Sequence, residues 1–258
     1  MGNYDIFIQA GQSNAVGTGH GPVSEPYEPN ENVLYLLGTA PLEEGWDPEA
    51  PYWVETAQER PYGENGTDKL SDFSLAFARD YIQKGYLKEG RKLLIVRTAV
   101  GGTGFMFNHW EMDAPLYTRM LRMVDHALTL GEGNRIMGML WHQGEHEAFE
   151  GNEPERYRGQ LTALLESVKQ RYNCPDLPFI SGGFCHEWFE QYKESCIPIL
   201  QVIRDVTKQA KGIFIETDDL LSNNQKTGDD DPIHFCRESL YTLGHRYFEA
   251  YTKIRQSL

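Results

Sequence analysis

The sequence predicts an α/β protein whose sheet is parallel and covered by helices on both faces. Short runs rich in branched apolar residues, typical of buried strands, alternate along the chain with longer segments whose apolar residues recur at helical spacing. A strand, a helix and a further strand in succession form the βαβ unit, which pairs its strands in parallel. No repeat or linker divides the chain, so we predict one domain over residues 1–258.

Six runs have the composition of strands. The first is the apolar half of the stretch 4–15, which breaks into Gly11 and Ser13. The other five are 33–37, 93–96, 135–141, 178–181 and 212–217. Several are followed closely by glycine, which is typical of a strand that turns toward a helix.

Five segments have helical periodicity. From Ser71 onward, Leu75, Ala78 and Tyr81 lie on one face of a predicted helix. The other four helices are predicted around 116–127, 152–172, 199–206 and 240–254. Apart from the run 33–37, the stretch 17–68 has no regular period, and its tryptophans and prolines indicate an ordered loop excursion. These markers are Trp46, Pro48, Pro51, Trp53 and Pro61.

The charge balance argues against nucleic acid and membranes as partners. Lys+Arg 24 against Asp+Glu 38 leaves a formal charge of -14, and an acidic surface repels phosphate backbones and anionic lipids. No apolar run approaches the roughly 20 residues of a membrane helix, and no secretory signal opens the chain. The four cysteines form no CxxC pair. We therefore expect a cytoplasmic protein with reduced thiols and no bound metal or cofactor.

Four polar segments follow predicted strands or their loops: Ser13, Gly101-Gly102, 142–145 and 231–234. All strands of a parallel sheet end at one edge, so these segments are expected to meet there. Taken alone, Ser13 is equally well explained as a helix cap, and the glycines as tight turns. Together they supply the parts of nucleophilic catalysis.

A serine hydroxyl needs a base to remove its proton, and a base of this kind needs a carboxylate to orient it. His234 is the candidate base, with Asp231 three residues before it. The oxyanion of the transition state needs donors held ready for it. The backbone amides of Ser13 and of the 101–102 turn and the side-chain amide of Gln143 can donate.

These segments resemble the four sequence blocks of SGNH (GDSL-type) hydrolases. The resemblance is to the branch containing carbohydrate esterase family 6 and the sialate O-acetylesterase-like proteins. It implies a three-layer α/β/α, flavodoxin-like fold with a five-stranded parallel sheet. It also implies Ser13 as nucleophile, His234 as base, and the Ser13 and Gly102 amides with Gln143 as oxyanion hole. The third block departs from the general SGNH pattern, because Gln143-Gly144-Glu145 replaces Gly-x-Asn-Asp. Glu145 is therefore an alternative to Asp231 as the acid, and we favour Asp231.

The resemblance implies a small acetylated carbohydrate as substrate. Acetylated xylo-oligosaccharide, O-acetyl sialic acid and another bacterial acetylated glycan are open alternatives, and so is a general short-chain esterase with no dedicated glycan. Gln12 and Asn14 flank the serine and are candidate substrate-binding residues. After the second block, Phe105 and Trp110 are candidates for stacking on a sugar ring, with core packing as the alternative. Assembly into a homo-oligomer is compatible with the sequence.

Three other interpretations are weaker. Residues 142–146 spell H-x-x-E-H, which binds zinc only when its residues share one face of a helix. Here the motif follows a strand-like run and contains Gly144. An α/β-hydrolase would carry its serine later in the chain and its acid and histidine further apart. A sugar-binding module without catalysis would not need Asp231 and His234 at one edge.

Overall fold

A computed structural model of the chain describes residues 3–42, 46–47 and 49–257. Its strands are β1 (Asn3–Gly11), β2 (Val33–Leu37), β3 (Trp53–Thr56), β4 (Arg60–Tyr62), β5 (Asp68–Leu70), β6 (Arg91–Arg97), β7 (Arg135–His142), β8 (Phe179–Gly182) and β9 (Ile213–Ile215). Over these ranges, seven strands form one sheet in the order β3-β2-β6-β1-β7-β8-β9, and β4 pairs with β5 as a separate hairpin.

The sheet is parallel except at one edge. Strands β2, β6, β1, β7, β8 and β9 pair in parallel, as the sequence predicts. The expectation of five strands is wrong, because β3 adds an antiparallel edge and six strands are parallel. All four residues of β3 are exposed. No buried face therefore marks this strand in the sequence, and it is a strand through its backbone pairing with β2.

The five predicted helices are confirmed, and short helices join them at the ends of strands. The helices are α1 (Ser13–Val16), α2 (Phe73–Gln83), α3 (Pro115–Thr129), α4 (Glu145–Glu150), α5 (Pro154–Arg171), α6 (His186–Gln191), α7 (Lys193–Gln209), α8 (Asn223–Thr227) and α9 (Arg237–Ser257). None of the helices that the structure describes has the length and apolarity to cross a membrane.

The residues of β1 show how helices cover both faces of the sheet. Ile6 and Ile8 belong to the apolar cluster that contains α3, α5 and α7. Phe7, between them, points to the other face and packs against Phe77 of α2 and Tyr251 of α9. All three β1 residues are fully buried, because a strand between two helical layers has no solvent-facing side. The three-layer α/β/α arrangement is confirmed.

The predicted excursion over 17–68 holds more regular structure than expected. Besides β2, it contains β3, β4 and a 3₁₀ turn at Glu64–Gly66. Residues 43–45 and Pro48 lie outside the described residues. The β4–β5 hairpin lies beside the segment that follows α1, since Gly19 and Ser71 form a bridge and Tyr62 lies against His20, with ring centroids 4.8 Å apart. The excursion therefore returns to the edge of the sheet where Ser13 lies.

Candidate active site

Strands β1 and β7 are neighbours, and their ends bring the first and third polar segments together. The amide of Gln12 donates to the carbonyl of His142 at 3.0 Å. Gly11 has φ +132, and a Cβ at this position would lie 2.0 Å from the His142 carbonyl oxygen. Only glycine fits so close to a neighbouring backbone. This close crossing places Ser13 at the first position of α1, at the carboxyl edge of the sheet.

Ser13 is only 9% exposed, and its hydroxyl makes no hydrogen bond to any residue that the structure describes. The turn of the second polar segment lies beside it: a Cβ on Gly101 would be 3.8 Å from the Ser13 Cβ. Val100, just before this turn, donates its amide to the Gly11 carbonyl at 3.1 Å. Gly101 and Gly102 are both exposed, so their backbone is open to a ligand near Ser13.

His234 and Asp231 form a closed local pair. His234 Nδ1 lies 2.9 Å from each carboxylate oxygen of Asp231, and the His234 amide donates to the same carboxylate at 3.3 Å. Asn223 Nδ2 donates to Asp231 Oδ2 at 2.9 Å. Burial opposes ionisation of Asp231, but the hydrogen bonds from His234 and Asn223 outweigh it and hold the pKa of the carboxyl below its usual value.

Asn14 joins the first, third and fourth polar segments. Its Nδ2 donates to Glu145 Oε1 at 2.8 Å and to the Ile233 carbonyl at 3.2 Å. Its Oδ1 accepts a hydrogen bond from the Phe235 amide at 3.1 Å. The residue after Ser13 therefore holds the peptides on both sides of His234. This fully buried side chain serves the architecture of the site, whereas the sequence suggested a substrate contact.

Glu145, the alternative acid, occupies a different position from Asp231. It is 1% exposed and bonds Asn14 through Oε1, while its Oε2 has no hydrogen-bond partner in the described part of the chain. Burial raises the pKa of the Glu145 carboxyl above its usual value, although the Asn14 hydrogen bond acts in the opposite direction. The His234 imidazole hydrogen-bonds Asp231, and no hydrogen bond between His234 and Glu145 is present in the described structure.

Gln143, expected in the oxyanion hole, faces the protein interior. It is 1% exposed, and its Nε2 donates to Glu147 Oε1 at 2.9 Å and to the Thr103 carbonyl at 3.4 Å. Its Oε1 accepts from the Tyr157 hydroxyl at 3.0 Å. Both amide hydrogens are thus engaged by acceptors within the protein, and this arrangement does not support the expected role. A buried amide takes whatever polar partners surround it, and these cannot be read from spacing.

Glu147 is a buried residue of the candidate site that the sequence analysis missed. Its Oε1 accepts from the Phe105 amide at 2.7 Å as well as from Gln143, and its Oε2 accepts from Asn152 Nδ2 at 2.6 Å. A Cβ on Gly104 would lie 2.2 Å from Glu147 Oε1. Glu147 therefore anchors the loop after the second polar segment to α4. Gly104 was the available signal, because a glycine permits this close approach.

Three of the residues expected to contact substrate have other surroundings. Gln12 is 3% exposed, and its Oε1 accepts from the His146 amide at 3.1 Å, which caps the start of α4. Phe105 and Trp110 are both 0% exposed, so neither ring presents a face to a sugar. They pack against Trp141 in the core. Their apolar bulk favours burial when a pocket under the loop is available.

Phe107 is the exposed aromatic residue of the same loop. It is 55% exposed, and its ring lies 5.4 Å from that of His146 and 6.1 Å from that of His109. The Gly104 amide donates to His109 Nδ1 at 3.2 Å. Phe107, His109 and His146 form a small ring cluster, which we call the aromatic rim. The cluster lies where the loop after Gly101 meets α4.

The H-x-x-E-H stretch is divided between two elements. His142 ends β7, whereas Glu145 begins α4, so the three side chains do not share a helix face as the zinc motif requires. His142 is fully buried, which lowers the pKa of its imidazole to about 3. His146 points into the aromatic rim. No group of three or more His, Cys, Asp or Glu suited to a metal occurs among the residues described.

A cavity of about 290 Å³ opens beside the Ser13 edge. Val16, Val100 and Gly101 line it, together with residues of the β3–β4 segment. Its charged lining residues are Glu55, Glu59, Arg60, Arg97 and Arg119. The volume suits one sugar ring, and the polar lining suits hydroxyl or carboxylate groups.

Solved structures with the same fold were found over nearly the whole chain. NanS covers 99% of this chain and 98% of its own, with a TM-score of 0.78 at 18% identity. A protein from Arabidopsis thaliana covers 98% of this chain and 99% of its own, with a TM-score of 0.70 at 21% identity. A carbohydrate acetylesterase from Xanthomonas citri, XAC1771, matches over 98% of this chain and 57% of its own, with a TM-score of 0.63 at 14% identity. The chain has the α/β fold of the SGNH hydrolases.

A family model described as carbohydrate esterase, sialic acid-specific acetylesterase, matches residues 3–253. The chain belongs to this family, which places it among the carboxylic ester hydrolases that act on acetylated carbohydrates. The family resemblance predicted from the four sequence blocks is confirmed. A search among curated proteins found no match.

Proposed function

We propose that this chain is a serine esterase that removes O-acetyl groups from a carbohydrate, with Ser13 as nucleophile, His234 as base and Asp231 as acid. The observation that carries the proposal is the Asn14 side chain, which ties the peptides on both sides of His234 to the residue after Ser13. Asp231 engages His234 Nδ1. The other ring nitrogen, Nε2, is then the one available to receive a proton from serine.

The reaction would pass through an acetyl-enzyme. His234 Nε2 takes the hydroxyl proton as Ser13 Oγ attacks the acetyl carbonyl, and Asp231 stabilises the imidazolium that forms. The amides of Ser13 and Gly102 would receive the oxyanion. The sugar hydroxyl leaves with the proton from His234, and a water molecule then attacks the acetyl group by the same sequence of proton transfers. Free acetate and Ser13 are the products of this second half.

Asp231 is a better acid than Glu145 on the hydrogen bonds present. Both oxygens of Asp231 lie within 2.9 Å of His234 Nδ1, and the low pKa of its carboxyl keeps it charged at neutral pH. Glu145 is buried, which raises the pKa of its carboxyl, and its Oε1 is bonded to Asn14. We propose that Glu145 supports Asn14 and that Asp231 completes the triad.

The lining of the cavity favours a sugar that carries a carboxylate. Arg97 is paired with Asp72 at 3.0 Å. Arg60 donates to the Gly17 carbonyl at 2.6 Å and forms no ion pair with any residue described. A guanidinium matches a carboxylate in charge and geometry. We therefore place O-acetyl sialic acid, the substrate class in the family description, ahead of acetylated xylo-oligosaccharide.

The test is acetate release from O-acetyl sialic acid, acetylated xylo-oligosaccharide and p-nitrophenyl acetate, each with and without a strong chelator. Wild type should act on the first and third substrates in the presence of chelator, and Ser13→Ala should be inactive. The exposed residue Ser24 supplies a matched control, since Ser24→Ala should behave as wild type.

Each of the other outcomes would indicate a different function or substrate. Activity that the chelator abolishes and Ser13→Ala retains would indicate a metal-dependent hydrolase. No turnover of any substrate, with no labelling of wild type by a fluorophosphonate, would indicate a sugar-binding module. Activity on the xylo-oligosaccharide alone would retain the serine mechanism and overturn the assignment of an acidic sugar.

A further inference from the structure

His20 lies seven residues after the candidate nucleophile and contacts the loop that carries the candidate acid. It is 7% exposed, and its Nε2 lies 2.5 Å from Asp229 Oδ2. We infer that His20 is a positioning residue of this site, which holds Asp231 in place through Asp229. The inference rests on the proposed esterase function, in which Asp231 orients His234.

The carboxylate of Asp229 connects His20 to Asp231 directly. While Oδ2 engages His20, the other oxygen, Oδ1, accepts a hydrogen bond from the Asp231 amide at 3.2 Å. A single carboxylate therefore spans the His20 ring and the backbone of the candidate acid. If the His20 contact were removed, Asp229 would be free to rotate, and the Asp231 amide would lose a fixed acceptor.

A second route joins residue 20 to the same acid through its backbone. The His20 amide donates to Asn223 Oδ1 at 3.2 Å, and Asn223 Nδ2 donates to Asp231 Oδ2 at 2.9 Å. The carbonyl of Asp231 is held as well, because the Asn224 amide donates to it at 3.0 Å. The backbone of residue 20 sets this route, so a side-chain substitution at His20 leaves it in place.

The opposite side of the His20 ring faces the β4–β5 hairpin. Nδ1 lies 3.7 Å from Asp68 Oδ2, and the Tyr62 ring lies 4.8 Å from the imidazole. Asp68 is itself held by the Gly21 amide at 3.0 Å. An imidazole carries its two nitrogens on different sides of a rigid ring, so His20 can join the hairpin to residues 229–234, which we call the acid loop. A shorter polar side chain cannot contact both carboxylates.

The acid loop needs such support because of its own charge. Asp229, Asp230 and Asp231 are consecutive, and Asp230 has a left-handed backbone with φ 61. Neighbouring carboxylates repel one another, so the orientation of Asp231 toward His234 depends on groups that hold the other members of the run. His20 does this for Asp229. Asp230 is exposed and is solvated.

The test compares His20→Ala, His20→Gln and Asp229→Ala in steady-state kinetics with p-nitrophenyl acetate. His20→Ala should lower kcat by roughly tenfold or more, because displacement of a group that orients a catalytic residue usually costs this much. KM should change by less than about twofold, since His20 is not proposed to touch substrate. His20→Gln should recover most of the loss, because its side-chain amide can donate to Asp229.

The matched control is His245 of α9, which forms the same type of contact with a carboxylate of α2. Its Nδ1 lies 2.5 Å from Asp80 Oδ2. His245→Ala should keep the wild-type kcat. The double variant His20→Ala/Asp229→Ala should be no slower than Asp229→Ala, because both changes interrupt one connection.

Several results would overturn the positioning role. One is a folded His20→Ala enzyme with wild-type kcat, and another is a loss that raises KM instead of lowering kcat. If His20→Ala does not fold, His20→Gln and Asp229→Ala decide the matter, and an Asp229→Ala enzyme with unchanged kcat contradicts the inference. Failure of the proposed function is separate: there the wild type and Ser13→Ala have equal activity, whatever happens at His20.

Discussion

The side-chain oxygen of Asn14 accepts a hydrogen bond from the Phe235 amide at 3.1 Å, across 221 positions of sequence. The same side chain donates to the Ile233 carbonyl at 3.2 Å. Asn14 directly follows Ser13, so one buried side-chain amide holds the peptides on both sides of His234 close to Ser13 in the fold. A catalytic serine and its base need a fixed separation, and in the proposed triad a neighbour of each residue would supply it.

Asn14→Ala should reduce both stability and turnover. The change leaves the Phe235 amide and Glu145 Oε1 without their partner, and an unpaired buried polar group costs about 1–3 kcal/mol. The loop with His234 loses its attachment, so we expect kcat to fall by roughly tenfold or more. Urea unfolding and p-nitrophenyl acetate kinetics measure the two effects. Asn3→Ala, at an exposed position, is the control. Wild-type behaviour of Asn14→Ala would show that Asn14 does not hold the loop of His234 in place.

Asp231→Asn should nearly abolish turnover. An amide neither stabilises the imidazolium of His234 nor enforces the correct tautomer, and in serine hydrolases this substitution costs on the order of 10⁴-fold in kcat. The measurement is kcat at neutral pH, with Asp205→Asn as control because Asp205 pairs with Arg158 on the surface. If Asp231→Asn kept its activity and Glu145→Gln lost it, Glu145 would be the acid.

Glu145→Gln should stabilise the protein at neutral pH. Because burial raises the pKa of Glu145 in the folded state, the unfolded chain releases this proton more readily. The carboxylate therefore costs stability above the unfolded pKa of about 4.3. Below that value both states hold the proton, and the variant should lose its advantage. Unfolding free energies at pH 7.5 and pH 4 test this, and the variant should be more stable than wild type at the higher pH only.

The surface glutamate Glu194 provides the control for this experiment, since Glu194→Gln, at an exposed position, should show little difference at either pH. A Glu145→Gln protein that is less stable than wild type at pH 7.5 would contradict the prediction. Because the substituted side chain still offers an amide oxygen to Asn14, we expect the kcat of this variant to stay within about tenfold of wild type.

Phe107→Ala should distinguish a sugar contact from catalysis. The exposed Phe107 ring in the aromatic rim is available to stack on a sugar, and we expect a contribution similar to that of an aromatic pair, about 0.5–1.5 kcal/mol. We expect KM for O-acetyl sialic acid to rise by roughly two- to tenfold, with little change in kcat or in p-nitrophenyl acetate hydrolysis. Tyr192→Ala, at an aromatic residue that is 44% exposed, is the control. An equal effect on both substrates would remove Phe107 from the substrate site.

The fold could be predicted well from the sequence because most of its strands and covering helices carry their own pattern of apolar residues. Each parallel strand is buried on both faces and so reads as an apolar run, and each covering helix has a periodic apolar face. The edge strand β3 has neither signal. All its residues are exposed, and it is a strand because its backbone pairs antiparallel with residues 34–37 of β2.

The site was predictable in its position and only partly in its detail. Strand ends of a parallel sheet meet at one edge, so the segments of Ser13 and Glu145 were expected to approach each other. Asn14, the residue after Ser13, donates to Glu145 Oε1 at 2.8 Å. The direction of each buried amide was not predictable. Gln143 could serve the oxyanion or the interior, and its surroundings, Glu147 and Tyr157, turn it inward.

By itself, then, the sequence determined the α/β class, the order of its polar segments and the family to which the chain belongs. Those features depend on patterns among residues close together in the chain, which can be read without knowing the tertiary contacts. The tertiary structure decided which carboxylate bonds His234, which aromatic ring stays exposed and what holds the acid loop. Each of these depends on groups far apart in the chain, such as His20 and Asp229, whose contact exists only after the sheet and its loops have assembled.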